Sequence, residues 1–340
     1  MVQTDECILN CTMEWTIKKL KLNLKYTWKI SRNSSEFKEN LIITCGGKGA
    51  MGMGEVAPNI RYGETPENLL EEFEVIEKNL RDCPTELYAF ETWLNGFKLH
   101  NALRFGIESA FIHWYISTYK ISLYTLLGIE EPKAVSTCYT LPIMDIGEIA
   151  QFYETHKLSR FQYLKVKVNN EEALDMIKEI MRLNKHKIMI DANEAWKDVD
   201  ALLRFIPKLK SYPIEFIEQP MPADMVDAYT YLKGKSELCI MGDESVLNQP
   251  DFDLLGQQFD GVNMKLMKAG GYLNGIRILR EAKARGMKTM IGCMVESTLG
   301  IRSAWSLCSL AEYADLDGCL IIDHEPFGLL KEEHGQFRAV

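Results

Sequence analysis

The sequence predicts a closed parallel α/β barrel preceded by a smaller α+β module. Three observations carry this. From Ala134 to about Ile321, strand-like and helix-like segments alternate; before that, a strand-rich stretch gives way to helical periodicity. Third, three acids each close a short apolar run: Asp191 in Ile-Met-Ile-Asp-Ala-Asn, Glu218 in Phe-Ile-Glu-Gln-Pro and Asp243 in Ile-Met-Gly-Asp-Glu-Ser. Their spacing of roughly 25 residues is what a short strand plus a crossover helix takes up, so each acid falls at a strand's C-terminal end.

Up to about residue 55, alternating segments such as Glu14–Leu24 and Asn40–Gly46 predict an antiparallel meander. From Thr65 to about Leu127 the period is helical, with Pro66-Glu67 at a helix start and apolar residues through Phe105–Ile121. Sheet followed by helices makes an α+β module of roughly 130 residues. The barrel strands read as Ser136–Pro142, Gln162–Val168, Lys187–Asp191, Glu215–Glu218, Cys239–Asp243, Gly261–Leu266, Lys288–Val295 and Asp317–Ile321, with helical patterns such as Glu171–Leu183 and Asn274–Ala284 between them. Eight strands with seven intervening helices and short loops mean a closed barrel rather than an open sheet. The tail from Asp323 to Val340 is too short for a normal eighth helix and is expected to return onto the first module.

The chain has 340 residues, 46% hydrophobic and 26% charged, with a net charge of −9. That balance suits a soluble globular protein and argues against a nucleic-acid partner, which would require a basic stripe. No basic leader with an apolar core and no stretch of 18 apolar residues is evident, so neither secretion nor membrane insertion is expected. The nine cysteines are scattered. Cys7 and Cys11 match no zinc or redox template, and Cys45, Cys239, Cys293 and Cys319 sit in apolar runs as core residues, which fits a reducing cytoplasm. The six histidines are dispersed, without metal-ligand spacing.

A barrel presents its chemistry at the C-terminal rim of its strands. Asp191, Glu218 and Asp243 would there face a common hard cation, and carboxylate oxygens suit Mg²⁺. Lys165 and Lys167, two apart in one strand, point to the same interior face, where an amine needs a task or a partner. Lys265 closes strand six. Lysines on both sides of a magnesium site suggest proton transfer at a carbon acid: the ion stabilises an enediolate, one lysine removes the α-proton, and the other returns one to the opposite face. Nearby Mg²⁺ and the like charge that Lys165 supplies beside Lys167 would favour the neutral amine a base requires. Asn193 and Glu244, next to two of the acids, are candidates for orienting them.

With these residues in place, the chain resembles the enolase superfamily in its muconate-lactonizing-enzyme-like branch. The matching motifs are Lys165-Val-Lys167, Asp191-Ala-Asn193, Glu218-Gln-Pro220, Asp243-Glu244-Ser245 and Asn263-Met-Lys265-Leu-Met-Lys268-Ala-Gly-Gly271, with Gly54-Glu55-Val-Ala-Pro58 similar to the capping domain's loop. The resemblance covers nearly the whole chain. It implies a modified TIM barrel, (β/α)₇β, under an N-terminal α+β capping domain: cap 1–130, barrel 131–322, and a segment 323–340 packing back on the cap. It further implies one Mg²⁺ on Asp191, Glu218 and Asp243, and Lys167 with Lys265 as the acid/base pair. Lys268 looks like an outward or helix-start residue.

The branch holds several chemistries. Strand seven contains no histidine, against the mandelate-racemase type. Asp315 and Asp317, two apart in strand eight, would leave an unpaired negative patch at the mouth and are similar to the Asp-x-Asp signature by which dipeptide epimerases hold a substrate ammonium. The expected activity is epimerisation of the C-terminal residue of a dipeptide, of the L-Ala-D/L-Glu type used in recycling cell-wall peptides. An o-succinylbenzoate synthase or N-succinylamino acid racemase of the same branch is the alternative, and a non-catalytic carboxylate-binding barrel is a further one. Thr140 and Lys165 join the substrate-binding set. Arg32 is the candidate partner of a substrate glutamate, with Ser31 competing for that place. Self-association into a homo-oligomer is an open expectation.

Overall fold

The computed structural model describes residues 13–29, 34–169, 173–183 and 186–340. The first module is a meander of β1 (Glu14–Lys29), β2 (Ser34–Gly47) and β3 (Ala50–Val56), followed by α1 (Pro66–Leu80), α2 (Leu87–Asn95), α3 (Asn101–Tyr119) and α4 (Leu123–Leu127). Helix α1 begins where the sequence puts it. Thr65 Oγ1 accepts from the Asn68 amide and Asn68 Oδ1 accepts from that of Thr65, a reciprocal cap, with Pro66 in the first turn.

A short β4 (Val135–Ser136) leads into eight parallel strands: β5 (Cys138–Leu141), β6 (Tyr163–Lys167), β7 (Lys187–Asp191), β8 (Ile214–Glu218), β9 (Ile240–Gly242), β10 (Gly261–Lys265), β11 (Lys288–Gly292) and β12 (Tyr313–Asp315), hydrogen-bonded in chain order. Between them run α5 (Ile149–Thr155), α6 (Ala173–Leu183), α7 (Val199–Phe205), α8 (Val226–Lys233), α9 (Phe252–Gln258), the pair α10 (Leu266–Ala269) and α11 (Tyr272–Ala284), and α12 (Thr298–Trp305). The fold is the expected (β/α)₇β barrel under an α+β cap. Inward side chains change character along the axis. Cys138, Met189, Phe216, Met241 and Met290 form an apolar plug. Two residues further along, the same period of two delivers Thr140, Asp191, Glu218, Asp243 and Gly292 to the rim.

The described ladder runs from β5 to β12, and the remaining seam is joined through side chains. Leu316 N donates to Thr137 Oγ1 (2.9 Å), Thr140 N to Asp317 Oδ2 (2.5 Å), and Cys138 Sγ to Asp315 Oδ1 (3.1 Å). The last strand therefore differs from the expected Asp317–Ile321: it is Tyr313–Asp315, and Asp317–Cys319 is a 3₁₀ turn. The apolar run beyond it is buried under the cap, where Ile321 O accepts from Lys25 N (2.9 Å) and Leu24 bridges to Ile322.

The tail touches the cap at Asp323, which donates its amide to Asn23 O (2.9 Å). It then turns away from the expected course. Its hairpin, β13 (Leu330–Glu333) and β14 (Gln336–Ala339), adds to the free antiparallel edge of β4, with Phe337 opposite Val135. Seven described cysteines are free, most of them buried. Cys7 and Cys11 lie outside the described residues.

Two buried carboxylates of the cap fasten it to the barrel by capping helix N-termini, where unpaired amides and the helix dipole favour an anion. Glu55 of β3 accepts from Ser297 N (3.0 Å), Ser297 Oγ (2.5 Å) and Gly300 N (2.9 Å) at the start of α12, and from Asn40 Nδ2 (2.8 Å). Glu108 of α3 accepts from Leu273 N (3.1 Å) in the first turn of α11. The approach is so close that a Cβ at Gly271 would stand 1.4 Å from Glu108 Oε2, which requires glycine there. Burial pushes the Glu108 carboxyl up to about 8. A carboxyl raised in the folded state contributes stability that is present below its unfolded value of 4.5 and lost as pH rises through about 8. Glu108→Gln keeps the acceptor and removes the charge. Urea unfolding at pH 5.5 and 8.5 is expected to show a smaller loss of stability at the higher pH in this variant than in the parent; equal losses would refute the burial argument.

Candidate active site

The rim of the barrel and the underside of the cap enclose a cavity of about 660 Å³. Strand register sets its floor. Lys167 lies opposite Asp191, Asp191 opposite Glu218, and Asp243 follows β9 on the same inward face as Met241. All these groups are buried; Asp191 and Glu218 are 0% exposed and Lys165 is 1% exposed.

Lys165 is the hub. Its Nζ lies 2.9 Å from Asp191 Oδ2, 2.7 Å from Glu218 Oε2 and 2.6 Å from Asp315 Oδ2. The Asp315–Asp317 pair is thus not the unpaired negative patch expected from sequence. Asp315 is neutralised by Lys165, and Asp317 accepts from the Thr140 backbone amide. Burial pushes Asp317 up to about 7, with the charge of Asp315 adding to it. For Asp315, burial acts upward but Lys165 outweighs it and the carboxyl is held low. The same opposition splits Asp191 from Glu218. Burial raises both. Lys165 and Lys167 hold Asp191 far below the usual carboxylate range, whereas burial with the neighbouring Asp191 charge takes Glu218 up to about 8.

Lys167 donates to Asp191 Oδ2 (2.5 Å) and to Asn193 Oδ1 (2.9 Å). Asn193 also donates its amide to Asp191 Oδ1 (3.0 Å), and its Nδ2 reaches Glu244 Oε1 at 3.4 Å. Lys265 donates to Asp243 Oδ2 (3.0 Å) across the cavity from Lys167. Gly292 makes room for it, since a Cβ there would stand 3.0 Å from Lys265 Cε and 2.5 Å from Asn263 Oδ1. Burial disfavours the Lys265 charge, but Asp243 overcomes it and raises the pKa above its ordinary value.

Of the two places expected for Lys268, outward or at a helix start, the structure shows the second, in α10, with the side chain turned inward. It is 2% exposed and donates to Asp243 Oδ1 (2.5 Å), Asp243 O (2.5 Å) and Asn263 O (3.1 Å). Burial lowers its pKa. It lies behind Asp243 and does not line the cavity, whereas Lys165, Lys167 and Lys265 do. Its position three residues after Lys265, at the start of a short helix, was the available signal for an inward turn. Arg32 and Ser31 lie outside the described residues.

Three further features were not read from the sequence. Gln219, with φ 36°, accepts from Asp243 N (2.8 Å) and Ser245 N (3.2 Å), so the motif glutamine fixes the third acid. Asn193 and Glu194 are also left-handed (φ 42° and 68°), a strained pair at the rim. Glu194 receives a two-pronged contact from Arg61 in the cap loop (2.9 Å at both Nε and Nη2), tying that loop to the barrel. Glu296 is buried beside Glu55; burial and the Glu55 charge push it up to about 8.

Among the described residues, no three His, Cys, Asp or Glu side chains already converge as a metal cage. In this conformation, lysine ammonium groups stand against all three strand-end acids. Breaking a buried ion-pair hub leaves its carboxylates uncompensated, at a cost of about 3–5 kcal/mol. Lys165→Met is therefore expected to lower the unfolding free energy by about that amount at neutral pH in EDTA, while loss of the exposed Lys178–Asp175 pair leaves the urea midpoint unmoved.

A family model described as Enolase C-terminal domain-like matches residues 148–332. An L-Ala-D/L-amino acid epimerase of a Maribacter species is 30% identical over 314 residues, spanning 92% of both chains. A hydrophobic dipeptide epimerase of Roseobacter litoralis is 31% identical over 320 residues, spanning 90% of both. Among solved structures, a dipeptide epimerase from Enterococcus faecalis, complexed with Mg and the dipeptide L-Leu-L-Tyr, superposes with a TM-score of 0.88 at 26% identity over 97% of each chain. Matched over more than half its length by that family model, and over nine-tenths by relatives that are epimerases, the chain belongs to the enolase superfamily.

Proposed function

We propose that this protein is an isomerase, a magnesium-dependent dipeptide epimerase that inverts the α-carbon of a dipeptide's C-terminal residue. The observation that carries this reading is the placement of two lysines. Lys167 on β6 and Lys265 on β10 stand four strands apart in an eight-stranded barrel, on opposite walls of one cavity, with the acids of β7, β8 and β9 between them. Relatives acting on dipeptides support the substrate class.

The donor set fits a hard divalent cation. Asp191, Glu218 and Asp243 offer only carboxylate oxygens on adjacent strand ends, and the protein's own counter-charge to Glu218 Oε2 is the Lys165 ammonium at 2.7 Å, which marks the spot as one that takes a cation. These three residues would hold Mg²⁺, and a bound ion would supply Lewis-acid stabilisation of the charge that develops on the substrate carboxylate. The chain's own residues do the rest. Asn193 orients Lys167 toward the cavity through its side-chain oxygen. Asp243 pairs with Lys265 and favours its protonated state, in which it delivers a proton to one face of the α-carbon while Lys167, on the opposite wall, removes the proton from the other; the two exchange roles in the reverse direction. Asp317 is the acid left to meet a substrate ammonium, since Asp315 is committed to Lys165. The cap loop, tied to the rim by Arg61 and Glu194, covers one side of the cavity.

Incubation of L-Ala-L-Xaa dipeptides in D₂O is expected to place deuterium at the C-terminal α-carbon, with loss of epimerisation in Lys167→Ala and in Lys265→Ala. Normal turnover in Lys265→Ala would remove that lysine from the mechanism. EDTA, Asp191→Asn, Glu218→Gln or Asp243→Asn should each abolish activity, and persistence in EDTA would sink the magnesium assignment. Asp317→Asn is expected to lower kcat/KM roughly 10- to 150-fold on a free dipeptide and far less on its N-acetyl form. Preference for N-acyl amino acids over every free dipeptide would transfer the reading to an N-acylamino acid racemase.

A further inference from the structure

Lys38 is a cation of this cavity for which the reaction has no use. It sits on β2 two residues before Asn40, so the strand's period puts both side chains on one face. Asn40 shows which face: its Nδ2 donates to Val295 O (3.0 Å) on the barrel. Lys38 accordingly looks into the mouth, where it lines the cavity with Trp28, Ile60 and Met294. Glu39, the next residue, borders the same cavity but is paired with Lys19 at 3.6 Å.

Every other lysine or arginine lining this cavity is matched by a carboxylate: Lys165, Lys167 and Lys265 within 3.0 Å, and Arg61 by Glu194. Lys38 has no carboxylate within ion-pair range among the described residues; its ammonium reaches the Ser35 hydroxyl at 3.4 Å. Burial lowers its pKa, and no acid opposes that effect. A partly desolvated ammonium in a largely apolar wall is unfavourable until an anion meets it.

We infer that Lys38 determines specificity, taking the carboxylate of an acidic side chain carried by the dipeptide. The inference rests on the epimerase reading. The test measures deuterium exchange from dipeptides that carry Glu or the isosteric Gln, at either position, with the parent enzyme, Lys38→Met and Lys38→Arg. In one Glu/Gln pair the parent should favour the acid at least about tenfold. Lys38→Met should lower kcat/KM for that acid by about 10- to 100-fold, and the Gln partner by no more than about threefold. Lys38→Arg should retain most of the preference. If the parent shows no acid preference, or Lys38→Met keeps it, the assignment of Lys38 is overturned while the epimerase reading stands. If no dipeptide exchanges with the parent enzyme, the epimerase reading fails and this inference fails with it.

Discussion

One ammonium, that of Lys165, holds the rim of the barrel together. It is almost fully buried among carboxylates from three other strands. Removing any one ion from water costs several kcal/mol, so neither the acids nor the lysine would be charged there alone. Together they form a set in which β6 is tied to β7, β8 and β12. The apolar plug beneath sets where the strands stand, and the hub sets where their last side chains point. Lys167, Asn193 and Asp243 take their places around that arrangement.

The electrostatic consequence is a site built from split pairs. Asp191 is pulled down and Glu218 pushed up; Asp315 is pulled down and Asp317 pushed up; Lys265 is raised and Lys268 lowered. In each pair the partners share a buried neighbourhood and differ in how far opposite charge offsets burial. Environments that push like groups apart let one cavity hold proton donors and acceptors at a single pH.

Much of this was legible in the sequence because it depends on local periodicity. Lys165 and Lys167, two apart, had to share a face, and acids that end apolar runs had to reach a rim. Pairing choices across the barrel were not legible. Lys165 meets Asp315 150 residues away, and nothing local selects that acid over Asp317. The last strand was misplaced because Gly318–Ile322 is as apolar as a barrel strand, although its burial is against β1 of the cap. The helix-start place of Lys268 was legible but its inward direction was not, because only the fold of the short α10 turns the side chain back beneath Asp243.

The seam between β12 and β5 ties binding to the barrel's integrity. Elsewhere adjacent strands are joined by backbone ladders, which no ligand can contest. Here Asp317, the acid that faces the cavity, also holds the Thr140 amide. A ligand cation drawing on that carboxylate competes with the closure of the barrel wall. The Thr140 amide is therefore the point of the barrel wall at which any such competition would be felt first.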